Sequence, residues 1–218
     1  MRSSILRVWN TILDFIFPKT PLVRELERME ADEFASLVER ASHPPGKGMI
    51  ACFDYRDKLV RTAIWELKYR GSKKMARLLA AALYDELLAF LEEYAPLMGF
   101  TEPLLVPIPL SKAREAERGF NQCELLAAVL MELDGGRNFT FSRALAKHRD
   151  TPSQTKQDTR KKRLENLRDC FAADSSAVGN RNIILIDDVA TTGATLEEAQ
   201  KTLLRAGARK VIAFTVAH

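Results

Sequence analysis

The segment Ile183–Thr195, IILIDDVATTGAT, constrains this 218-residue chain more than any other stretch. Ile183 to Ile186 is a short apolar run rich in β-branched residues, the pattern of a strand covered on both faces of a parallel sheet. Two carboxylates, Asp187 and Asp188, stand at its C-terminal end, followed by a small, hydroxyl-rich loop. Leu196, Ala199, Leu203 and Leu204 then recur at helical spacing, with Gly207 placed as the stop. A loop that runs into a helix N-terminus points backbone N–H groups at an anion. Gly193 lets backbone approach the ligand closely, Ala194 adds little bulk, and Thr195 is a candidate cap for the helix. The acidic pair beside the loop accepts hydroxyl protons or faces a metal ion. A sugar phosphate suits both halves.

An isolated Asp-Asp also fits an ordinary turn between strand and helix; the full thirteen-residue string is far more specific. A receiver domain likewise begins with an apolar strand and an acidic pair, but needs most of a domain afterwards, and about thirty residues remain. Phosphatases built on Asp-x-Asp need a residue between the carboxylates. Neither GxxxxGK[ST] nor GxGxxG occurs, which removes the sequence support for nucleoside triphosphate and dinucleotide folds.

Upstream, residues 1–17 read as an amphipathic helix with Ile5, Leu6, Trp9, Ile12, Leu13, Ile16 and Phe17 on one stripe. Arg7, Asn10, Thr11 and Asp14 interrupt it, so it is not a continuous signal-peptide core. Thr20-Pro21 starts a second helical stripe that runs to about Arg40, and Pro44-Pro45-Gly46 marks a boundary. The expected division is a helical segment, 1–45, and a domain, 46–218. Within the domain we expect a strand at Met49–Tyr55, helices at Lys58–Lys68 and Lys73–Tyr94, and a strand at Leu104–Pro109. A helix at Gly119–Leu133, a strand near Phe139–Leu145, the Ile183 strand with its helix, and a strand at Val211–Val216 complete the order. Strands alternating with helices predict an α/β fold with a doubly wound parallel sheet and an N-terminal helical appendage. Ligands of such sheets bind beyond the carboxyl ends of the strands.

The net charge of +4 is mild, but its placement is uneven. Residues 143–169 hold nine Lys/Arg against four acids, a net +5, which leaves the rest of the chain at −1. A polyanion-facing surface is expected to include that stretch. Cys52, Cys123 and Cys170 are far apart and form no CxxC pair, so neither a disulfide framework nor a zinc site is suggested. No apolar run reaches transmembrane length, and the expected location is cytoplasmic.

Ile183–Thr195 resembles the 5-phosphoribosyl-1-pyrophosphate (PRPP) motif of type I phosphoribosyltransferases. The resemblance implies that Asp187 and Asp188 hold the ribose 2′- and 3′-hydroxyls. It implies that Val189, Ala190, Thr191, Thr192, Gly193, Ala194 and Thr195 surround the 5′-phosphate. Three further segments narrow it. Leu67-Lys68-Tyr69-Arg70-Gly71 comes first. Val106-Pro107-Ile108-Pro109-Leu110 leads into Lys112, Arg114 and Arg118-Gly119-Phe120-Asn121-Gln122. Arg149-Asp150-Thr151-Pro152-Ser153-Gln154-Thr155 precedes Arg163-Leu164-Glu165-Asn166 and Phe171. In this order they resemble the ComF family of competence-associated phosphoribosyltransferase-like proteins, over about residues 49–217.

That resemblance implies a pyrophosphate loop after the Val106–Leu110 strand and a mobile lid from about Lys147 to Arg163. Displacing pyrophosphate from ribose C1 develops positive charge on the sugar and negative charge on the leaving group. Mg²⁺ and cations stabilise the departing oxygens, and a lid excludes water. Lys112, Arg114 and Arg118 are the candidates for pyrophosphate, with Arg149 and Arg163 reaching in from the lid. Arg118 is preferred, because guanidinium offers phosphate a bidentate fork. The competing reading of each cation is a solvated surface charge; of Asn121 and Gln122, a helix start; of Lys68 and Tyr69, a helix end. ComF chains typically carry paired CxxC zinc motifs after a Leu-Phe-Pro stretch. Here Ile16-Phe17-Pro18 is present without following cysteines, so zinc binding is not carried over. His218 stands where a basic residue is common in the family.

Two functional readings remain from the residues. One is Mg²⁺-dependent transfer of phosphoribose from PRPP to an unknown acceptor. The other is a non-catalytic PRPP- or DNA-binding factor for transformation, partnered by single-stranded DNA or a competence-machinery protein. Lys147 to Arg168 contains no aromatic residue, so the stacking component of single-strand binding is missing there. A third role, residues 1–17 lying on a membrane surface or partner helix, is disfavoured by Asp14 and by few basic residues. An oligomer is compatible with all three.

Overall fold

The computed structural model describes residues 19–44, 46–149 and 169–218. The amphipathic stretch 1–17, Arg163 and nearly all of the lid segment lie outside the described residues.

Five parallel strands form the main sheet in the order β1-β7-β6-β2-β3. They are β1 (Met49–Phe53), β2 (Leu104–Pro107), β3 (Thr140–Phe141), β6 (Asn182–Val189) and β7 (Lys210–Ala217). A separate antiparallel pair, β4 (Leu145–Lys147) and β5 (Phe171–Ala173), lies outside it. The centre of the sheet is β6, hydrogen-bonded to β2 on one side and β7 on the other. Its alternation explains the double winding. Ile184 and Ile186 enter one apolar cluster, Ile183 and Leu185 the other, and all four are fully buried.

The first cluster holds α3 (Lys58–Arg70), α4 (Lys73–Glu93) and α7 (Gln122–Asp134) against one sheet face, with Ile64, Leu67, Leu79, Leu83 and Leu126 at its centre. The second packs α9 (Ala194–Arg205) and the β4–β5 pair on the opposite face through Leu196, Ala199, Leu203, Leu145 and Phe171. The expected α/β doubly wound parallel sheet is present.

The N-terminal stripe is two helices, α1 (Pro21–Arg28) and α2 (Ala31–Leu37), rather than one running to Arg40. Thr20 caps the first through its hydroxyl, with Pro21 in the opening turn. Met29 and Glu30 then adopt extended backbone. The break lets Leu26 and Phe34 both reach the main core, where the Phe34 and Phe53 rings meet edge to face at 5.7 Å. Residues 39–41 continue along the outer edge of β1, with Asp54 N donating to Glu39 O and Ala41 N to Cys52 O. That covers an otherwise open sheet edge.

Three other elements differ from expectation. The helix expected from Gly119 is preceded by α6 (Lys112–Arg118), a charged surface helix with no buried residue and hence no apolar stripe to announce it. Gly119 ends that helix at φ 78°, and α7 starts only at Gln122. The long helix ends at Glu93, and Pro96 lies in the first turn of the short α5 (Ala95–Met98), which the sequence did not announce. The single strand expected over 139–145 is β3 and β4, which belong to different sheets, while β5 and α8 (Ser175–Val178) carried no periodic signal.

Candidate functional site

The carboxyl ends of β1, β2, β6 and β7 open on the same edge of the sheet, because the strands are parallel. The acidic pair lies within β6, which extends to Val189. Asp187 and Asp188 are both buried, at 7% and 3% exposure. Burial in that quantity needs partners. Asp187 Oδ1 accepts from the Asp188 backbone N–H at 2.9 Å and from Cys123 Sγ at 3.4 Å. Desolvation raises the Asp187 carboxyl to about 6, opposed by the charge of Lys68 and by the Cys123 and Lys147 contributions. The same burial pushes the Cys123 thiol well above its ordinary range.

The Lys68 ammonium stands 2.7 Å from Asp188 Oδ2, an oxygen that is fully covered yet accepts no aligned hydrogen bond. Burial lowers the Lys68 pKa, the charge of Asp187 pulls it back up, and Arg118 and Arg114 lower it further. The structure therefore brings Arg114 and Arg118 of α6 into the electrostatic neighbourhood of the acidic pair, together with Lys68 of α3 and Lys147 of β4. Lys112 is exposed at the start of α6. Arg149 lies near Cys170, whose thiol it influences.

Two separated motifs meet to position these cations. Gly71 ends α3 at φ 61°, and a Cβ there would lie 3.1 Å from the Phe120 ring, so the Lys68-Tyr69-Arg70-Gly71 turn and Arg118-Gly119-Phe120 pack as one unit. The Arg118 guanidinium lies over the Tyr69 ring at 5.3 Å and donates to Gln122 Oε1 at 3.1 Å. Asn121 bridges the start of α7 to the end of β2, donating to Ile108 O and accepting from Cys123 N. That is the helix-start role its position suggested.

The small loop is held by its flanks. Ala190 N donates to Ala217 O, tying the loop to β7. Gly193, at φ 74°, is the N-cap of α9, so the first-turn N–H groups of Ala194, Thr195 and Leu196 follow it directly. Thr195 is thus inside the helix and does not cap it, a correction set by the left-handed turn that only glycine adopts at low cost. Thr191 is exposed and Thr192 and Thr195 are partly exposed, and the Thr192 hydroxyl accepts from the Ala194 backbone N–H at 3.5 Å.

Lys68 is the residue whose importance the linear sequence hid. Its signal was available: it lies four residues after Ile64, on the buried face of α3, where a lysine needs a partner. Lys147 enters the sequence reading only as the start of the lid, and nothing local to it points to Asp187.

Comparison with known proteins agrees with this geometry. The phosphoribosyl transferase domain family matches residues 116–218. Competence protein ComFC of Bacillus subtilis (strain 168) is 38% identical over 170 residues, covering 75% of this chain and 61% of that protein. DNA utilization protein YhgH of Escherichia coli (strain K12) is 31% identical over 169 residues, covering 77% of this chain and 70% of that protein. The fold is that of a type I phosphoribosyltransferase. The chain belongs to the ComF family within that class, as the order of its motifs implied. It spans 61% of the length of the Bacillus relative. Among solved structures, the B. subtilis glutamine PRPP amidotransferase complexed with ADP and GMP overlaps 69% of this chain and 30% of that one, at 17% identity and a TM-score of 0.42.

Among the described residues, no helix is long and apolar enough to cross a membrane. The three cysteines are buried and unpaired. Cys123, Asp187 and Asp188 place ligand-type atoms within 4.8 Å of one another. Mg²⁺ takes oxygen ligands and keeps water, and a thiol held protonated is no ligand for it. Two carboxylates, one of them paired with Lys68, and a protonated thiol do not by themselves form an all-protein Mg²⁺ cage.

Proposed function

We propose that this protein binds PRPP with Mg²⁺ and transfers its phosphoribosyl group to an acceptor. The observation that carries the reading is the covered, hydrogen-bond-deficient Oδ2 of Asp188 beside the Lys68 ammonium, at the mouth of a glycine-capped helix. A carboxylate oxygen in that position suits a ribose hydroxyl donor, and a displaced Lys68 adds to the cationic side formed by Arg114 and Arg118. The α9 N-terminus and the Thr191–Thr195 loop take the 5′-phosphate. Asp187 and Asp188 orient the ribose, and Arg118, pre-positioned by Tyr69 and Gln122, meets the leaving pyrophosphate. Mg²⁺, when bound with PRPP, supplies charge stabilisation to the departing oxygens. The names of the ComFC and YhgH relatives support a setting in DNA uptake or DNA utilization.

Calorimetric titration of the full chain with PRPP, with and without Mg²⁺, tests the reading. Binding that requires Mg²⁺ and drops at least tenfold in Asp187→Asn and in Asp188→Asn is the expected result. A wild-type protein that does not bind PRPP refutes it. Pyrophosphate release on addition of acceptor separates transferase from PRPP-binding factor.

A further inference from the structure

The Lys68 ammonium occupies the position on Asp188 that a sugar hydroxyl would need. It stands 2.7 Å from Asp188 Oδ2, the distance at which a hydroxyl donor meets a carboxylate oxygen. Oδ2 is fully covered and accepts no aligned hydrogen bond among the described residues. With Lys68 in place, a hydroxyl oxygen of water size therefore does not reach it. The lysine has somewhere to go, because 24% of its side chain is open to solvent against 5% for Asp188. Binding of a sugar hydroxyl at Oδ2 is thus an exchange of one donor for another.

What lies around Lys68 decides when that exchange is favourable. Burial disfavours the charged lysine most, Asp187 favours it, and Arg118 and Arg114 disfavour it. The contact between Gly71 and the Phe120 ring fixes the end of α3 against the turn that carries Arg118. Arg118 itself meets only uncharged groups there, the Tyr69 ring and Gln122 Oε1. A Lys68 that leaves Asp188 therefore gives up its counter-charge beside two like charges. Only an anion on the Arg118 side offsets that loss. The phosphate loop lies elsewhere: it follows β6 and is tied to β7 through Ala190 N and Ala217 O, whereas Arg118 follows β2 on the other side of β6. A 5′-phosphate in that loop is not placed to take over the lysine.

Resting on the proposed PRPP reading, we infer that Lys68 is a specificity-determining residue: it holds the hydroxyl position on Asp188 in the free protein and yields it only to a ribose phosphate that also carries an anionic group at C1. With PRPP the ammonium exchanges a carboxylate for pyrophosphate oxygens, so its charge stays paired in both states. Ribose 5-phosphate offers hydroxyls to Asp188 but nothing to the displaced lysine, and the exchange is uphill. The same balance acts in reverse. Once pyrophosphate has gone, Lys68 returns to Asp188 and takes the place of the ribose hydroxyl, which loosens whatever ribose phosphate remains.

The test titrates the full chain, with Mg²⁺ present, with PRPP and separately with ribose 5-phosphate. The wild type is expected to bind PRPP about a hundredfold more tightly. Lys68→Met is expected to weaken PRPP about tenfold and to tighten ribose 5-phosphate about threefold, so that the preference shrinks about thirtyfold. Lys68→Arg, which keeps the charge, is expected to hold the preference within about fivefold. A lysine that only supports the fold weakens both ligands alike in Lys68→Met, and that result overturns the inference, as does a wild type that binds both equally. A second readout needs no destabilised variant. After reductive ¹³C-methylation of the wild type, the Lys68 resonance, identified by its absence in Lys68→Arg, is expected to move with PRPP and not with ribose 5-phosphate. A resonance that answers both ligands equally, or neither, overturns the exchange. A wild type that does not bind PRPP overturns the underlying reading instead, before any variant is compared.

Discussion

Replacing Asp187 by Asn should stabilise the protein at neutral pH while removing its proposed function. The carboxyl is buried, and that burial raises it from 3.8 to about 6. A carboxyl with a raised folded pKa binds more protons in the native state than in the unfolded chain between those two values. Stability is then present in full below pH 3.8 and falls as pH rises toward 6. Each pKa unit is worth ~1.4 kcal/mol, so the ionised Asp187 costs about 3 kcal/mol above pH 7. About half of that has developed by pH 5, because the unfolded carboxyl is already ionised there.

Asn preserves an Oδ1 acceptor for the Asp188 N–H and Cys123 Sγ and carries no charge. The stability difference between Asp187→Asn and wild type should therefore grow in favour of Asn by about 1–2 kcal/mol from pH 5 to pH 8. Urea melts at the two pH values measure it, since a midpoint shift at constant slope is a change in stability. A gap that stays flat across this range, or moves toward wild type, refutes the argument that a desolvated carboxylate is held at this position. The same variant should lose at least tenfold in PRPP affinity, separating stability from binding as expected of a functional carboxylate.

Lys68→Met removes the counter-charge of Asp188 and should cost about 1–3 kcal/mol, less than a fully enclosed pair because the lysine is a quarter open to solvent at 24%. The double variant Lys68→Met/Asp188→Asn should recover most of that loss in thermal melts; additive losses would show that the two groups are not coupled. Arg118→Ala should leave the melting temperature within a few degrees yet weaken PRPP at least tenfold by calorimetry, with Arg118→Lys intermediate. Phe34→Ala should cost about 3–5 kcal/mol in chemical denaturation, because Phe34 is fully buried against Phe53 in the main core; a loss below ~1 kcal/mol would mean that α2 contributes little to the domain.

The centre of the molecule was legible because its signals are local. Ile183–Ile186 is apolar on both faces, Gly193 and Gly207 sit where left-handed backbone is required, and Leu196, Ala199 and Leu203 repeat at helical spacing. The elements missed had no such signal. Helix α6 buries nothing, and β3 and β5 are two and three residues long, held by pairing with strands far away in sequence. The break at Met29-Glu30 is a change of direction that a stripe of apolar residues does not record.

The same contrast explains why the acidic pair could be recognised but its electrostatics could not. Two adjacent carboxylates at a strand end are a sequence pattern, whereas the depth of their burial is set by α3 and α7 closing over β6 from elsewhere. Lys68 and Cys123 arrive from those two helices, one as counter-charge and one as a weak thiol donor. The result is a site whose resting state is poorly satisfied: one carboxyl near its titration point, one oxygen without an aligned donor, and one lysine pushed toward neutrality. A native core of this size has no reason to keep such groups for stability, since apolar replacements of a buried ion pair are often neutral or stabilising. A ligand with hydroxyl donors for the carboxylates and negative charge for the displaced lysine satisfies all three groups at once. Among small metabolites that pairing of hydroxyls with phosphate is the defining chemistry of a sugar phosphate, which is why the electrostatics support the same ligand class as the loop that follows.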